Sequence, residues 1–103
     1  MLKITEIVEI APYNVVCRFN TGEVKKIALE SHITSGNHTI NKAKLLDKDF
    51  FKQVKIGQFG ELYWADAAYM QDSNEELLLC EFDLSPEFVY YNATEIFLSP
   101  HLA

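Results

Sequence analysis

The sequence predicts an α+β fold, an antiparallel sheet with two short helices packed on one of its faces. Three observations predict it. In YNVVCRF (13–19), Tyr13, Val15, Cys17 and Phe19 alternate with Asn14, Val16 and Arg18, the period of two of a strand with one buried face. NTGE (20–23) then offers a tight turn into a second apolar run, VKKIAL (24–29), with Gly22 as the left-handed residue of the hairpin. Finally, LDKDFF (46–51) and LSPEFV (84–89) share one pattern: leucine, a capping residue, a variable one, an acid, phenylalanine and an apolar residue. That is how helices begin.

The elements follow in chain order. MLKITEIVEIA opens as a strand in which Glu6 and Glu9 interrupt Ile4, Ile7, Val8 and Ile10, and Ala11-Pro12 breaks the chain before residue 13. Residues 2–29 therefore read as a three-stranded antiparallel meander. ESHITSGNHTIN (30–41) is polar, lacks periodicity and reads as a loop. The first helix is expected at about 47–54, where Phe50, Phe51 and Val54 fall at helical spacing. KIGQFGELYW (55–64) reads as strand, glycine-containing bend and strand, and residues 68–82 as a hairpin turning at Asp72-Ser73-Asn74. The second helix is expected at 86–92, followed by an apolar tail, IFLSPHLA.

Both helix starts are explained by capping. Ser85 can accept from a backbone N–H left over at the first turn. Pro86 occupies the first helical position, where its missing donor costs nothing. Glu87 stands beside the positive end of the helix dipole, and Leu84 and Val89 are placed to form a hydrophobic staple. In the earlier helix Asp47 caps, Asp49 faces the dipole and Leu46 is set to staple to Phe51. The aromatic-rich DLSPEFVYYNA (83–93) is thus a helix start and not an active site.

The 103 residues, 49% hydrophobic and 23% charged, form one domain with an ordinary globular composition. The longest purely apolar run, LLL at 77–79, falls far short of the ~20 residues that span a bilayer. The N-terminus has no secretory signature, so a cytoplasmic location is expected. Cys17 and Cys80, the two cysteines, make neither a disulfide framework nor a metal pattern; free half-buried thiols are favoured over a bridge.

Charge is distributed unevenly. Residues 1–55 carry nine Lys and Arg against six Asp and Glu, whereas residues 56–103 carry nine Asp and Glu and no Lys or Arg. Lysines 44, 48, 52 and 55 would form one stripe if 44–55 were all helical, but an acidic chain with pI near 4.9 repels nucleic acid, and no direct nucleic-acid binding is expected. His32, His38 and His101 lack metal-ligand spacing, DSNEE (72–76) lacks the glycine and the later glutamate of a calcium loop, and neither cysteine sits in a nucleophile motif. No catalytic, cofactor-binding or metal-binding residue is assigned.

The runs VVCRFNTGEVKKIAL, LLDKDFFKQVKIGQFGELYW and DLSPEFVYYNA resemble a bacterial family known by a catalogue label, domain-of-unknown-function family 2442. The likeness covers about residues 2–92. It rests on Phe19, Gly22 and Glu23, on Leu45 with Phe50 or Phe51, on Trp64, and on Asp83, Leu84, Ser85 and Pro86. It implies an antiparallel sheet with short helices on one face, no catalytic residue, and association with regulatory or toxin–antitoxin-like pairs. The chain departs from the family pattern at 65–82, where an acidic hairpin arm replaces a short link after Trp64.

These readings lead to a non-catalytic interaction or regulatory module. Its partner is a protein, basic by charge complementarity, or a second copy of the chain. The expected contacts are Tyr63, Trp64, Asp66, Glu75, Glu76, Glu81 and Asp83. The alternative is a small-molecule binder or unrecognised enzyme with a pocket near Trp64.

Overall fold

β1 (Ile4–Ala11), β2 (Asn14–Phe19) and β3 (Val24–Ala28) form the expected antiparallel meander in the structure, a computed structural model that describes residues 1–34, 40–41, 43–71 and 73–96. The interrupted pattern of the first strand has a specific cause. Its register with β2 slips between Ile4 and Glu6 and again between Ile7 and Glu9, so that Ile4, Ile7 and Ile10 stand opposite Phe19, Cys17 and Val15. Each slip inserts one extra residue, which turns a period of two into a period of three and keeps all three isoleucines on the inner face. Glu6 meets Arg18 across the strands at 3.0 Å on the outer face. Gly22 takes φ +93° in the β2–β3 turn, as the hairpin requires.

Residues 30–41 are not all loop. Glu30–Thr34 form α1, which buries Ile33, and Ile40–Asn41 form the short strand β4. One apolar residue in five leaves no period to read. The expected helix at 47–54 is shorter than its spacing suggested. Ala43–Leu46 make a 3₁₀ turn that buries Leu45, α2 runs only from Lys48 to Phe51, and Lys52 ends it. The lysine stripe therefore does not exist, because Lys44, Lys48, Lys52 and Lys55 lie on four different local structures.

After α2 the chain enters a second antiparallel sheet rather than extending the first. Its central strand is β6 (Leu62–Gln71), paired along one side with β7 (Leu77–Leu84). On its other side it meets β5 (Lys55–Ile56) near its start and β4 near its end. The sheets are stitched together at Gly60, whose carbonyl accepts from the Ile4 N–H at 3.0 Å. A Cβ there would lie 2.5 Å from Lys3 Cβ, and φ is +78°, so this close approach requires glycine.

α3 (Pro86–Asn92) begins as the sequence dictates. Ser85 Oγ accepts from the Phe88 N–H at 3.0 Å, and both Leu84 and Val89 are buried. At α2, Asp47 Oδ1 accepts from the Phe50 N–H at 2.9 Å, but Leu46 stays partly exposed and the second staple does not close. Ser85→Ala should lower stability by about 1 kcal/mol, with Ser85→Asp restoring most of it, as read by urea denaturation. The sequence is silent on β8 (Thr94–Glu95), which pairs with β3 as Lys25↔Glu95 and Lys26↔Thr94. Only Thr94 to Ile96 of the chain's last ten residues are described, so most of the expected apolar tail lies outside the described residues, as do His38 and His101.

One core joins the two sheets. Val15, Cys17, Phe19 and Ile27 from the first sheet meet Leu45, Phe51, Leu62, Trp64, Leu84 and Val89. Among the described residues no helix is long and apolar enough to cross a membrane.

Candidate functional site

The β6–β7 hairpin is the arm expected at 65–82, and it begins three residues earlier, within the core. Its register is regular from Leu62↔Leu84 to Trp64↔Phe82, then breaks, and resumes at Ala68↔Cys80. Residues 65–67 on one strand thus oppose Glu81 alone on the other. Asp66 sits in this bulge with φ +52°, a left-handed conformation that aspartate tolerates better than most residues. Its carbonyl accepts from Lys44 Nζ at 3.1 Å, and the same ammonium lies 4.6 Å from the centre of the Phe50 ring. The bulge is therefore tied to the body at the root of the arm.

The pairing sorts side chains by face. Leu62, Trp64, Ala68 and Met70 lie on one face with Leu84, Phe82, Cys80 and Leu78; Tyr63 and Tyr69 lie on the other with Asp83 and Leu79. The first face starts deep in the core and runs outward past its cover. Leu62 and Trp64 are fully buried, whereas Met70 is 44% and Leu78 50% exposed. On the second face Leu77 and Leu79 are 68% and 49% exposed, beside Tyr69. Beyond the bulge, both faces of the arm present apolar side chains to solvent.

The sequence-expected contacts fall into separate groups. Tyr63 and Asp83 are cross-strand neighbours, with Glu81 farther along the same face and Asp66 in the bulge opposite it. Glu75 and Glu76 lie at the turn, eight and seven residues from Asp83, or about 23 Å of strand and more. Trp64 stands apart from both groups. It is 1% exposed, its indole N–H donates to the Phe51 carbonyl at 2.8 Å, and its ring packs on Phe51 and Phe82. It supports the root of the arm from inside and offers almost no surface to solvent.

Sequence reasoning passed over Tyr69, Met70, Leu77, Leu78 and Leu79. A signal was present. Three successive leucines in a strand put one face's worth of leucine on each side, and a hairpin half-covered by a body would show polar residues on alternate positions.

Polar groups around the β2–β3 turn are engaged with one another. An open groove of about 380 Å³ lies along Arg18, Thr21, Glu23, Val24 and Glu95, but Arg18 is paired with Glu6. Glu23 accepts from Tyr90 Oη at 2.7 Å and from Thr21 Oγ1 at 3.0 Å. The Tyr90 hydrogen bond, then that of Thr21, holds the Glu23 carboxyl below its ordinary range, and donating to Glu23 pushes the Tyr90 hydroxyl up. Lys25 closes the group, donating to the Tyr90 carbonyl at 2.9 Å and lying 3.7 Å from the centre of its ring. Tyr90 of the 83–93 segment thus fastens α3 to β3 and to the turn before it. No group of three or more metal-ligating side chains occurs among the described residues.

Both cysteines are free, Cys17 buried in the core and Cys80 half-buried on the arm. Burial pushes the Cys17 thiol up to about 12, from 9.0 when exposed. The folded chain therefore keeps a proton that the unfolded chain releases above pH 9. Stability is full below that pH and falls between 9 and 12, by at most about 1.4 kcal/mol per pH unit. Urea denaturation at pH 8 and pH 10 should show a decline that is smaller in Cys17→Ala. A thiol reagent should modify Cys80 in the native protein and reach Cys17 only on unfolding.

No family model, no curated protein and no solved structure matches this chain.

Proposed function

We propose that the chain is a non-catalytic protein-interaction module of the cytoplasm, akin to family 2442, which docks a partner on the outer half of its β6–β7 arm. The observation that carries this reading is the apolar surface of Tyr69, Met70, Leu77, Leu78 and Leu79, clustered at one end of a hairpin. Scattered exposed apolar residues are normal, but five gathered on the two faces of one hairpin end mark an interaction surface. The arm's acids give the partner its sign. From Asp66 to Leu84 the chain contains no Lys or Arg, so approach and orientation favour a basic surface. A regulatory pair, one chain holding another, is the setting this fits.

The test is to isolate the tagged protein gently from its own source cells and weigh the intact assembly by native mass spectrometry. The expected result is a stoichiometric, basic second protein that dissociates as salt is raised. A bare monomer or a homodimer would overturn the reading.

A further inference from the structure

Resting on the docking reading above, we infer that the free edge of β7 is where the partner binds, by adding an extended basic segment to the sheet as a further antiparallel strand. Three observations carry this. First, β7 pairs with β6 along one edge, and its other edge meets no strand among the described residues. Alternate residues of any strand direct N–H and C=O away from its neighbour, so this edge is a template for a further strand. By contrast, the opposite side of the arm is partly closed, since β4 pairs with β6 at Met70 and Tyr69.

Second, one face of β7 has a simple order. Reading outward to inward it presents Leu77, Leu79, Glu81 and Asp83, the leucines half-exposed or more and both acids exposed. Neither the Glu81 nor the Asp83 side chain has a hydrogen-bond or ion-pair partner among the described residues. Cross-strand neighbours on a face interact directly, so an added antiparallel strand is best matched when its alternate residues run basic, basic, apolar, apolar from its N-terminus. The arm thus selects for direction and register as well as for charge.

Third, the same acids disfavour the simplest competitor, a second copy pairing β7 to β7. Charges on an edge strand are a common device against self-pairing. Two copies of a chain of net charge −6 also repel on approach, whereas a basic strand gains from every feature of this edge.

The experiment uses the full chain and a fluorescein-labelled synthetic peptide, Lys-Thr-Lys-Thr-Val-Thr-Val, followed by fluorescence anisotropy. Three comparisons accompany it: the same peptide with alternate backbone nitrogens methylated, a Glu-Thr-Glu-Thr-Val-Thr-Val peptide, and the Glu81→Lys/Asp83→Lys variant. Strand addition predicts that the basic peptide binds and that N-methylation abolishes binding, because it removes backbone donors and keeps every side chain. The double variant should lose about tenfold for the basic peptide and gain about as much for the acidic one. Absence of binding, or binding indifferent to N-methylation, would overturn strand addition. Sedimentation of the protein alone as a dimer that Glu81→Lys/Asp83→Lys strengthens would also overturn it, in favour of self-pairing. The docking reading fails separately: a partner still weighed in the native assembly beside a peptide that does not bind sinks strand addition alone, while an assembly without any partner sinks the reading beneath it.

Discussion

Trp64→Ala should be the most destabilising single substitution in the chain, costing about 3–5 kcal/mol, the range for removing a large aromatic from a packed core. Domains of this size are stable by about 5–15 kcal/mol in total, so the variant is expected to lose a large part of its margin. Trp64 is almost fully buried, lies between the rings of Phe51 and Phe82, and donates its N–H to the Phe51 carbonyl. It is the last regular position of β6 before the bulge. Truncation removes the wedge that fixes where the arm leaves the body and leaves a buried carbonyl without its donor. Trp64→Phe keeps an aromatic ring, though a smaller one, but not the N–H, and should cost about 1–3 kcal/mol, chiefly the penalty of the unsatisfied acceptor. Urea denaturation followed by far-ultraviolet circular dichroism checks both, since the single tryptophan is lost as a fluorophore. Were Trp64→Ala to keep the wild-type midpoint while losing a partner, the residue would be a surface contact after all.

That contrast shows what the sequence made legible. Capping is local, so Ser85 and Asp47 could be recognised from their neighbours and take up the expected hydrogen bonds. The β2–β3 hairpin was equally plain, because alternation and Gly22 point the same way. Long-range partition was not. Nothing near Lys55 or Leu62 says that these strands start a new sheet, because that depends on Gly60 approaching Lys3 across the fold. The bulges in β1 were visible only as an apparent fault, isoleucines at 4, 7 and 10, whose meaning appears once β2 stands beside them. Of the candidate site, the arm and its charge could be read, since both are properties of consecutive residues. Which of its side chains are covered could not. Tryptophan suits an interface as well as a core, and only the position of the body decides that Trp64 is inside while Leu77 is outside.

Leu77→Thr/Leu79→Thr should separate folding from function in the opposite sense to Trp64→Ala. Both leucines sit on the face of β7 that also carries Glu81 and Asp83, about half or more open to solvent, so their replacement removes little buried area. Threonine is also a good strand residue, so the stability read by urea denaturation is expected to stay within the small range typical of surface changes, about 0.5 kcal/mol. Binding is different. If a partner covers what solvent now touches, each leucine contributes on the order of 1–1.5 kcal/mol at the interface, and the pair about 2–3 kcal/mol, roughly a hundredfold in affinity. The readout is the fraction of partner retained in the native assembly at matched concentration, with the midpoint measured on the same preparation. Loss of partner at an unchanged midpoint places the docking surface on the outer arm. Retention of partner would mean that the leucines are exposed for no binding purpose, and the surface must then be sought elsewhere. A stability that falls by more than about 2 kcal/mol, the size of a core truncation, would instead mean that the arm folds back on the body in solution and that its leucines belong to the core.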